Sequence, residues 1–232
     1  MRVRVATTVL GLTAVVLALP ACSTNSNAAK SATSSATRAA TSATPEGQTA
    51  PLSSAALETM LLDEGDLGTG YRRTPERLAQ HDDITVLGCP ALDNLGGDAA
   101  TGGSLDFPRK AKVSFTYTGG GNSSAMSEEL YSDTADKLSD GTRRIFDAMT
   151  GCPEYQVLSG STAVDVTTQR MSAPPLGDER WSMLLTFSAG GQDSVIKQAA
   201  VRAGNVLLIV SGSPALVDRH LDKALAKVTT AR

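Results

Sequence analysis

The chain has 232 residues, of which 41% are hydrophobic and 19% are charged, and a formal net charge of −3 at pH 7. Four of its 21 basic residues but none of its 24 acidic residues precede Glu46, so the sequence from Glu46 onward carries 17 basic and 24 acidic residues, a net charge of −7. Nucleic acid and anionic lipid surfaces both require a basic protein face, so neither is expected as a partner.

Residues 1–21 have the pattern of an export signal. Arg2 and Arg4 form a positive N-terminal region, and residues 9–19 are almost entirely apolar. This apolar run is roughly half as long as the ~20 residues that a transmembrane helix needs. A cleaved signal peptide is therefore predicted rather than a permanent span, which would place the rest of the chain on the extracytoplasmic face of the cell membrane.

The signal ends in Leu19-Pro20-Ala21-Cys22. This tetrapeptide resembles the lipobox of bacterial lipoprotein precursors, although Pro20 is an unusual residue at its position. The resemblance implies that the thiol of Cys22 receives a diacylglycerol with acyl chains such as palmitate, and two chains are needed for stable anchoring. The expected membrane partner is thus reached through the lipid on Cys22. An ordinary secretory signal with an incidental cysteine is the alternative, and it too exports the domain.

Residues 22–52 are predicted to comprise the lipidated cysteine and a disordered tether. Of the 22 residues from 23 to 44, 20 are Ser, Thr, Ala or Asn. Such a composition offers too little apolar surface to offset the entropy of folding. A flexible coil of this length spans on the order of 25 Å. The density of Ser and Thr also fits O-glycosylation, and a bare spacer is an equally good interpretation.

Residues 53–232 are predicted to form a single α+β domain, because about 180 residues is an ordinary size for one domain. Hydrophobic periodicity indicates an antiparallel β-sheet packed with helices. The predicted elements are a short helix at 53–62, a strand at 109–118, an amphipathic helix at 134–150, a meander of three strands at 181–188, 194–202 and 206–210, and a final helix that follows Ser213 with Pro214 at its first position. The strand at 206–210 is continuously apolar, which predicts burial on both faces.

Cys89 and Cys152 are the cysteines that are left once Cys22 carries lipid, and each lies in a Gly-Cys-Pro tripeptide. An exported domain meets oxidising conditions, so a disulfide between these two residues is predicted. A metal site is not expected, because the chain has no C-x-x-C spacing and only two histidines, His81 and His220. No cofactor is expected either.

No catalytic set is predicted. Residues 121–125, Gly-Asn-Ser-Ser-Ala, depart from the G-x-S-x-G nucleophile motif at the last position, and His220 is expected beside the apolar stripe of the final helix rather than near Ser123. Residues 194–197 match S-x-x-K but fall in a predicted strand, where this odd spacing places Ser and Lys on opposite faces. Residues 63–66, Asp-Glu-Gly-Asp, are interpreted as a turn that ends a helix rather than as a calcium loop.

Five segments occur in an order that resembles one family. They are residues 62–71, 88–90, 146–152, 176–180 and 202–207. The order resembles actinobacterial sensor-domain lipoproteins, which are similar to the extracellular domain of PknH-type mycobacterial receptor kinases. The resemblance covers most of residues 53–232 and implies an antiparallel sheet with helices around a cleft that binds an unidentified ligand. The sequence shows neither a kinase domain nor a transmembrane helix, and it has two domain cysteines where four are expected in the kinase version.

These observations favour a non-catalytic, membrane-anchored envelope lipoprotein whose domain binds a small molecule, a lipid or an envelope protein. The first alternative is a lipid or glycolipid carrier, which needs an apolar cavity of several hundred cubic ångströms. A wet cleft would favour the sensor-like function instead. The second alternative is an envelope hydrolase, which needs a histidine within hydrogen-bonding reach of a serine or a carboxylate in a cleft.

The lipid anchor is tested by Cys22→Ala. We expect the variant to be released into the medium without lipid, or to accumulate as an uncleaved precursor, because the acceptor thiol is missing. Cell fractionation with mass spectrometry of the mature N-terminus measures both results. A variant that stays membrane-bound with the same mature N-terminus would rule out lipidation at Cys22.

Overall fold

The structure is a computed structural model that describes residues 50–75, 84–96, 105, 107–119 and 123–231. The predicted signal peptide, Cys22, the predicted tether up to residue 49 and His81 lie outside these residues, so the signal peptide, the lipid anchor and the tether stay predictions.

Nine antiparallel strands within the described residues form one sheet, in the order β1-β3-β4-β9-β8-β7-β6-β5-β2. Their bounds are β1 Tyr71–Thr74, β2 Ile84–Leu87, β3 Lys110–Tyr117, β4 Ser124–Ser132, β5 Glu154–Ser159, β6 Thr162–Arg170, β7 Glu179–Ala189, β8 Gln192–Ala203 and β9 Val206–Gly212. The short strands β1 and β2 therefore lie at the two edges of the sheet.

Helices cover both faces of this sheet. They are α1 Ser54–Glu58, α2 Glu64–Leu67, α3 Pro90–Asp93, α4 Ala135–Gly151 and α5 Pro214–Thr230. Residues of α1, α2 and α5 belong to one hydrophobic cluster, and residues of α3 and α4 belong to a second cluster on the opposite face. The predicted α+β fold, an antiparallel sheet packed with helices, is confirmed.

The central strand β9 contributes to both hydrophobic clusters. Val206, Leu208 and Val210 belong to the α5 cluster, whereas Leu207 and Ile209 belong to the α4 cluster. All five are at most 4% exposed. Burial of each such side chain contributes about 1.5–3 kcal/mol, so this strand joins the two layers of the core. The prediction of a strand buried on both faces is confirmed.

The meander of β7, β8 and β9 is held by tight turns that the glycines permit. Ala189 pairs with Gln192 across Gly190 and Gly191, which have φ angles of 58° and 77°. Two successive residues with positive φ are what a two-residue type I′ hairpin requires. The strands extend beyond the predicted ranges, to 192–203 and 206–212, because ladder pairing continues to the turns.

The prediction that residues 63–66 end a helix is wrong, because these residues begin α2. Asp63 is the N-cap of α2, and its side chain accepts the N–H of Asp66 at 2.9 Å. The side chain of Asp66 accepts the N–H of Asp63 at 3.1 Å, which completes a capping box. The same acidic residues that resemble a turn therefore satisfy the first N–H groups of a new helix.

The disulfide joins α4 to α3. Cys152 follows the last residue of α4, and its Sγ is bonded to that of Cys89, which precedes α3, with 5.7 Å between the Cα atoms. The predicted pairing is therefore present in the structure.

Among the described residues, no helix combines the length and the apolar composition that a membrane-spanning segment requires.

The contribution of this bond is tested by the double variant Cys89→Ala, Cys152→Ala. The bond closes a loop of 63 residues, for which the chain-entropy model predicts about 4 kcal/mol of stabilisation. We expect denaturant unfolding to show a loss of that size. Reduced wild-type protein is the control and should match the variant. A non-reducing digest in which the two cysteine peptides run separately would contradict the bond itself.

Candidate functional site

A polar pocket with a volume of about 620 Å³ lies where the segment from α1 to α2 meets the start of β3. Eight of its eleven lining residues are polar or charged. We call it the edge pocket. Its charged residues are Arg73, Lys110, Lys112, Lys227, Glu58 and Asp63.

The edge pocket is open because β1 is shorter than β3. The four residues of β1 pair with only half of the eight residues of β3, from Thr74 opposite Ser114 to Tyr71 opposite Tyr117. Pro75 follows β1 and has no backbone N–H to donate. Residues 110–113 of β3 therefore have no strand neighbour on this side within the described part of the chain.

Two of the four cations in the edge pocket are neutralised by the protein itself. Lys112 Nζ lies 2.6 Å from Glu129 Oε1, and Lys227 Nζ contacts Asp66 and also lies 3.3 Å from Asp63 Oδ2. The hydrogen bond from the Asp66 N–H, followed by that from Lys227, lowers the pKa of Asp63 below its usual range. Asp63 is therefore a carboxylate at neutral pH.

The other two cations of the edge pocket are Arg73 and Lys110. Arg73 and Lys110 are exposed, and neither side chain has a carboxylate within ion-pairing distance among the residues that the structure describes. Their backbones are nevertheless fixed, because the N–H of Arg73 donates to Glu64 Oε1 at 2.8 Å and the N–H of Lys110 donates to Ser54 Oγ at 3.1 Å. The edge pocket therefore presents two positive charges on a fixed backbone, and neither forms an ion pair with a described residue.

A buried carboxyl group supports the wall of the edge pocket. Glu128 on β4 is fully buried, and its Oε2 accepts the N–H of Leu62 at 2.7 Å. Its Oε1 has no hydrogen-bond partner in the described structure. Burial raises the pKa of Glu128 to about 7, although the Leu62 N–H and the charge of Lys227 act in the opposite direction. The residue that holds Leu62 in place therefore titrates near neutral pH.

His220 lies beside the apolar stripe of α5, as the sequence predicted, and it is buried together with that stripe. It is 5% exposed, and its Nε2 lies 2.6 Å from the hydroxyl of Tyr71 on β1. Burial, together with the nearby charges of Arg219 and Lys223, lowers the pKa of His220. The imidazole is therefore held neutral, with a tyrosine as its partner rather than Ser123.

The other chemical motifs are not assembled into a site. Ser194 and Lys197 lie in β8 as predicted, and Lys197 forms an ion pair with Asp218 of α5. Among the described residues, no group of three or more histidine, cysteine, aspartate or glutamate residues is arranged to hold a metal ion. His81 lies outside the described residues.

Sequence reasoning missed the edge pocket. The alternation of Lys110 and Lys112 with Ala111 and Val113 signals a strand with one charged face, but nothing in the sequence shows that β1 ends opposite Ser114. The burial of Glu128 has no local signal either. Glu128 is flanked by the polar residues Ser127 and Glu129, so the sequence of β4 shows no alternation of apolar and polar residues at this point.

No protein-family model matches the sequence, and no curated protein is significantly similar to it. The extracellular domain of PknH from Mycobacterium tuberculosis has a similar structure, with a TM-score of 0.58 at 14% sequence identity, over 79% of this chain and 100% of that domain. The Rv0999 ortholog from Mycobacterium smegmatis aligns with a TM-score of 0.35 at 12% identity, over 73% of this chain and 94% of that protein, which is too weak to establish a shared fold. The resemblance seen in the sequence is thus confirmed as a resemblance of fold.

Glu128→Gln tests the buried carboxyl. Glutamate has a pKa of 4.5 when unperturbed and about 7 here, so the folded protein binds the proton more tightly than the unfolded chain. The stabilisation of the folded state by protonation of Glu128 is complete below pH 4.5 and is lost as the pH rises through 7. The difference corresponds to about 3 kcal/mol. We expect denaturant unfolding at pH 5 to 8 to show this loss in the wild type and a much flatter profile in the variant, whose amide oxygen still accepts the Leu62 N–H.

Glu58→Gln, which removes an exposed carboxylate from the same pocket, is the matched control and should keep the wild-type slope. Equal slopes in the Glu128→Gln variant and the wild type would show that Glu128 is ionised throughout this range.

Proposed function

We propose that this chain is a lipid-anchored extracytoplasmic lipoprotein whose folded domain is a non-catalytic, sensor-like module that binds its ligand in the edge pocket. The export signal and the lipobox around Cys22 support the location. The fold shared with the extracellular domain of a mycobacterial protein supports the same location. The edge pocket supports ligand binding.

The polarity of the edge pocket is the observation that carries the proposal. Ligand sites in proteins have volumes of roughly 300–1,000 Å³, and the volume of about 620 Å³ lies within that range. Only Leu61, Leu62 and Ala111 are apolar among its lining residues. A carrier of lipid or glycolipid would need an apolar lining to receive acyl chains. The wet lining therefore favours recognition of a polar ligand over lipid carriage.

The hydrolase alternative has less support. It requires a histidine beside a serine or a carboxylate in a cleft. The hydrogen-bond partner of His220 is the hydroxyl of Tyr71, and both side chains are less than 10% exposed. A buried histidine with a lowered pKa and a tyrosine partner stabilises the packing of α5 against β1, and it presents no acid or base to solvent.

Thr59→Trp tests the proposed site. Thr59 is exposed and lines the edge pocket, so an indole at this position fills space that a ligand would occupy. We expect small molecules that copurify with the wild-type exported protein, identified by mass spectrometry after denaturation, to be depleted at least tenfold from the variant.

Thr162→Trp, at an exposed position of β6, is the control and should retain them. Equal retention by both variants would place the ligand outside the edge pocket. Hydrolysis of a copurifying envelope compound by the wild-type protein would contradict the non-catalytic proposal.

A further inference from the structure

The unpaired part of β3 forms the back wall of the edge pocket. The N–H of Ser132 donates to the carbonyl of Arg109 at 3.0 Å, so odd-numbered residues direct their backbone groups toward β4. Even-numbered residues direct theirs to the other side, as the 3.0 Å bond from the Thr118 N–H to the Gly70 carbonyl shows. Lys110 and Lys112 therefore present their backbone groups to the open edge.

Within the described part of the chain, most of these backbone groups have no hydrogen-bond partner. The N–H of Lys110 donates to Ser54 Oγ. The N–H and carbonyl of Lys112 have no hydrogen bond with any residue that the structure describes. Exposed strand edges of this kind are templates for another extended chain. A second cavity of about 270 Å³, lined by Thr74, Lys112 and Val113 among others, continues along the same edge.

Charge identifies the kind of chain that this edge accepts. Arg73 and Lys110 both line the edge pocket, both are exposed, and neither forms an ion pair with a residue that the structure describes. A second copy of this protein would bring Lys110 and Lys112 against the same lysines, and like charges directly opposite each other destabilise a strand pair. Acidic side chains would instead pair with both cations, which outnumber the one exposed carboxylate of the edge pocket that has no ion pair with a described residue, Glu58.

We propose that the open edge of β3 binds a short, extended, acidic peptide segment by strand addition. This inference rests on the proposed function, since it names the ligand class of the edge pocket. The unpaired residues 110–113 match about four residues of a strand, or roughly 13 Å. The bound segment exchanges backbone hydrogen bonds with Lys112, as in other complexes that extend an exposed sheet edge.

The register of the sheet defines the spacing of the acidic residues. Arg73 pairs with Phe115, an odd-numbered position of β3, whereas Lys110 is an even-numbered position. Alternate residues of a strand face opposite sides of the sheet, so these two cations belong to opposite faces. A peptide that reaches both must carry acidic residues separated by an odd number of positions.

The test uses acetylated and amidated hexapeptides of Thr and Val that contain two glutamates at separations of one to four positions. We expect saturable binding to the exported wild-type protein by calorimetry, with odd separations at least tenfold tighter than even ones. Methylation of the peptide amides that face β3 should weaken binding at least tenfold. Methylation of the amides that face solvent should leave binding unchanged.

Arg73→Gln with Lys110→Gln should weaken the best peptide at least tenfold. The control Arg144→Gln with Arg180→Gln removes the same charge from exposed positions outside the edge pocket and should not weaken it. Absence of saturable binding, or equal binding of odd, even and methylated peptides, would overturn the proposal. In that case, loss of copurifying molecules in Thr59→Trp would still support ligand binding in the edge pocket, so the two proposals fail separately.

Discussion

Burial of the central strands on both faces is the constraint on which the rest of the structure depends. β9 has α5 on one side and α4 on the other, and its residues 206–210 are all buried. A sheet covered on both faces leaves room for most of its charged residues only at its edges and ends, and the fully buried Glu128 of β4 is an exception. The edge pocket accordingly lies where the sheet stops, beside residues 110–113 of β3. No described strand pairs with these residues on that side, and Ser54 of α1 accepts the N–H of Lys110 there.

The elements that the sequence predicted correctly are those whose pattern is local. The continuous apolar run of β9, the Gly190-Gly191 turn and the Ser-Pro start of α5 each carry their own signal, because burial, positive φ and a fixed proline φ constrain the residues involved. The serine at that start occupies the N-cap position but makes no side-chain cap hydrogen bond. The disulfide was predictable because only two cysteines were left to pair.

The candidate site was not predictable, because it arises from contacts that are distant in sequence. Glu128 meets Leu62 across 66 residues, and Tyr71 meets His220 across 149 residues. No periodicity encodes such pairs. Strand lengths at the sheet edge also depend on where the neighbouring strand ends, and β1 is too short to show a reliable alternation. The sequence therefore predicts the scaffold better than the surface that the scaffold presents.

The charge distribution shows why net charge alone misleads about partners. The chain from Glu46 onward has a net charge of −7, which disfavours nucleic acid. Arg73 and Lys110 nevertheless line one pocket, and neither side chain forms an ion pair with a described residue. A local positive field in a concave site concentrates anionic groups even when the whole protein repels them. For an acidic ligand, long-range repulsion by the net negative charge of the protein slows association. The two cations, one on each face of the sheet, favour only ligands whose acidic residues have the matching spacing. Under the strand-addition proposal, such a site gains selectivity more than affinity.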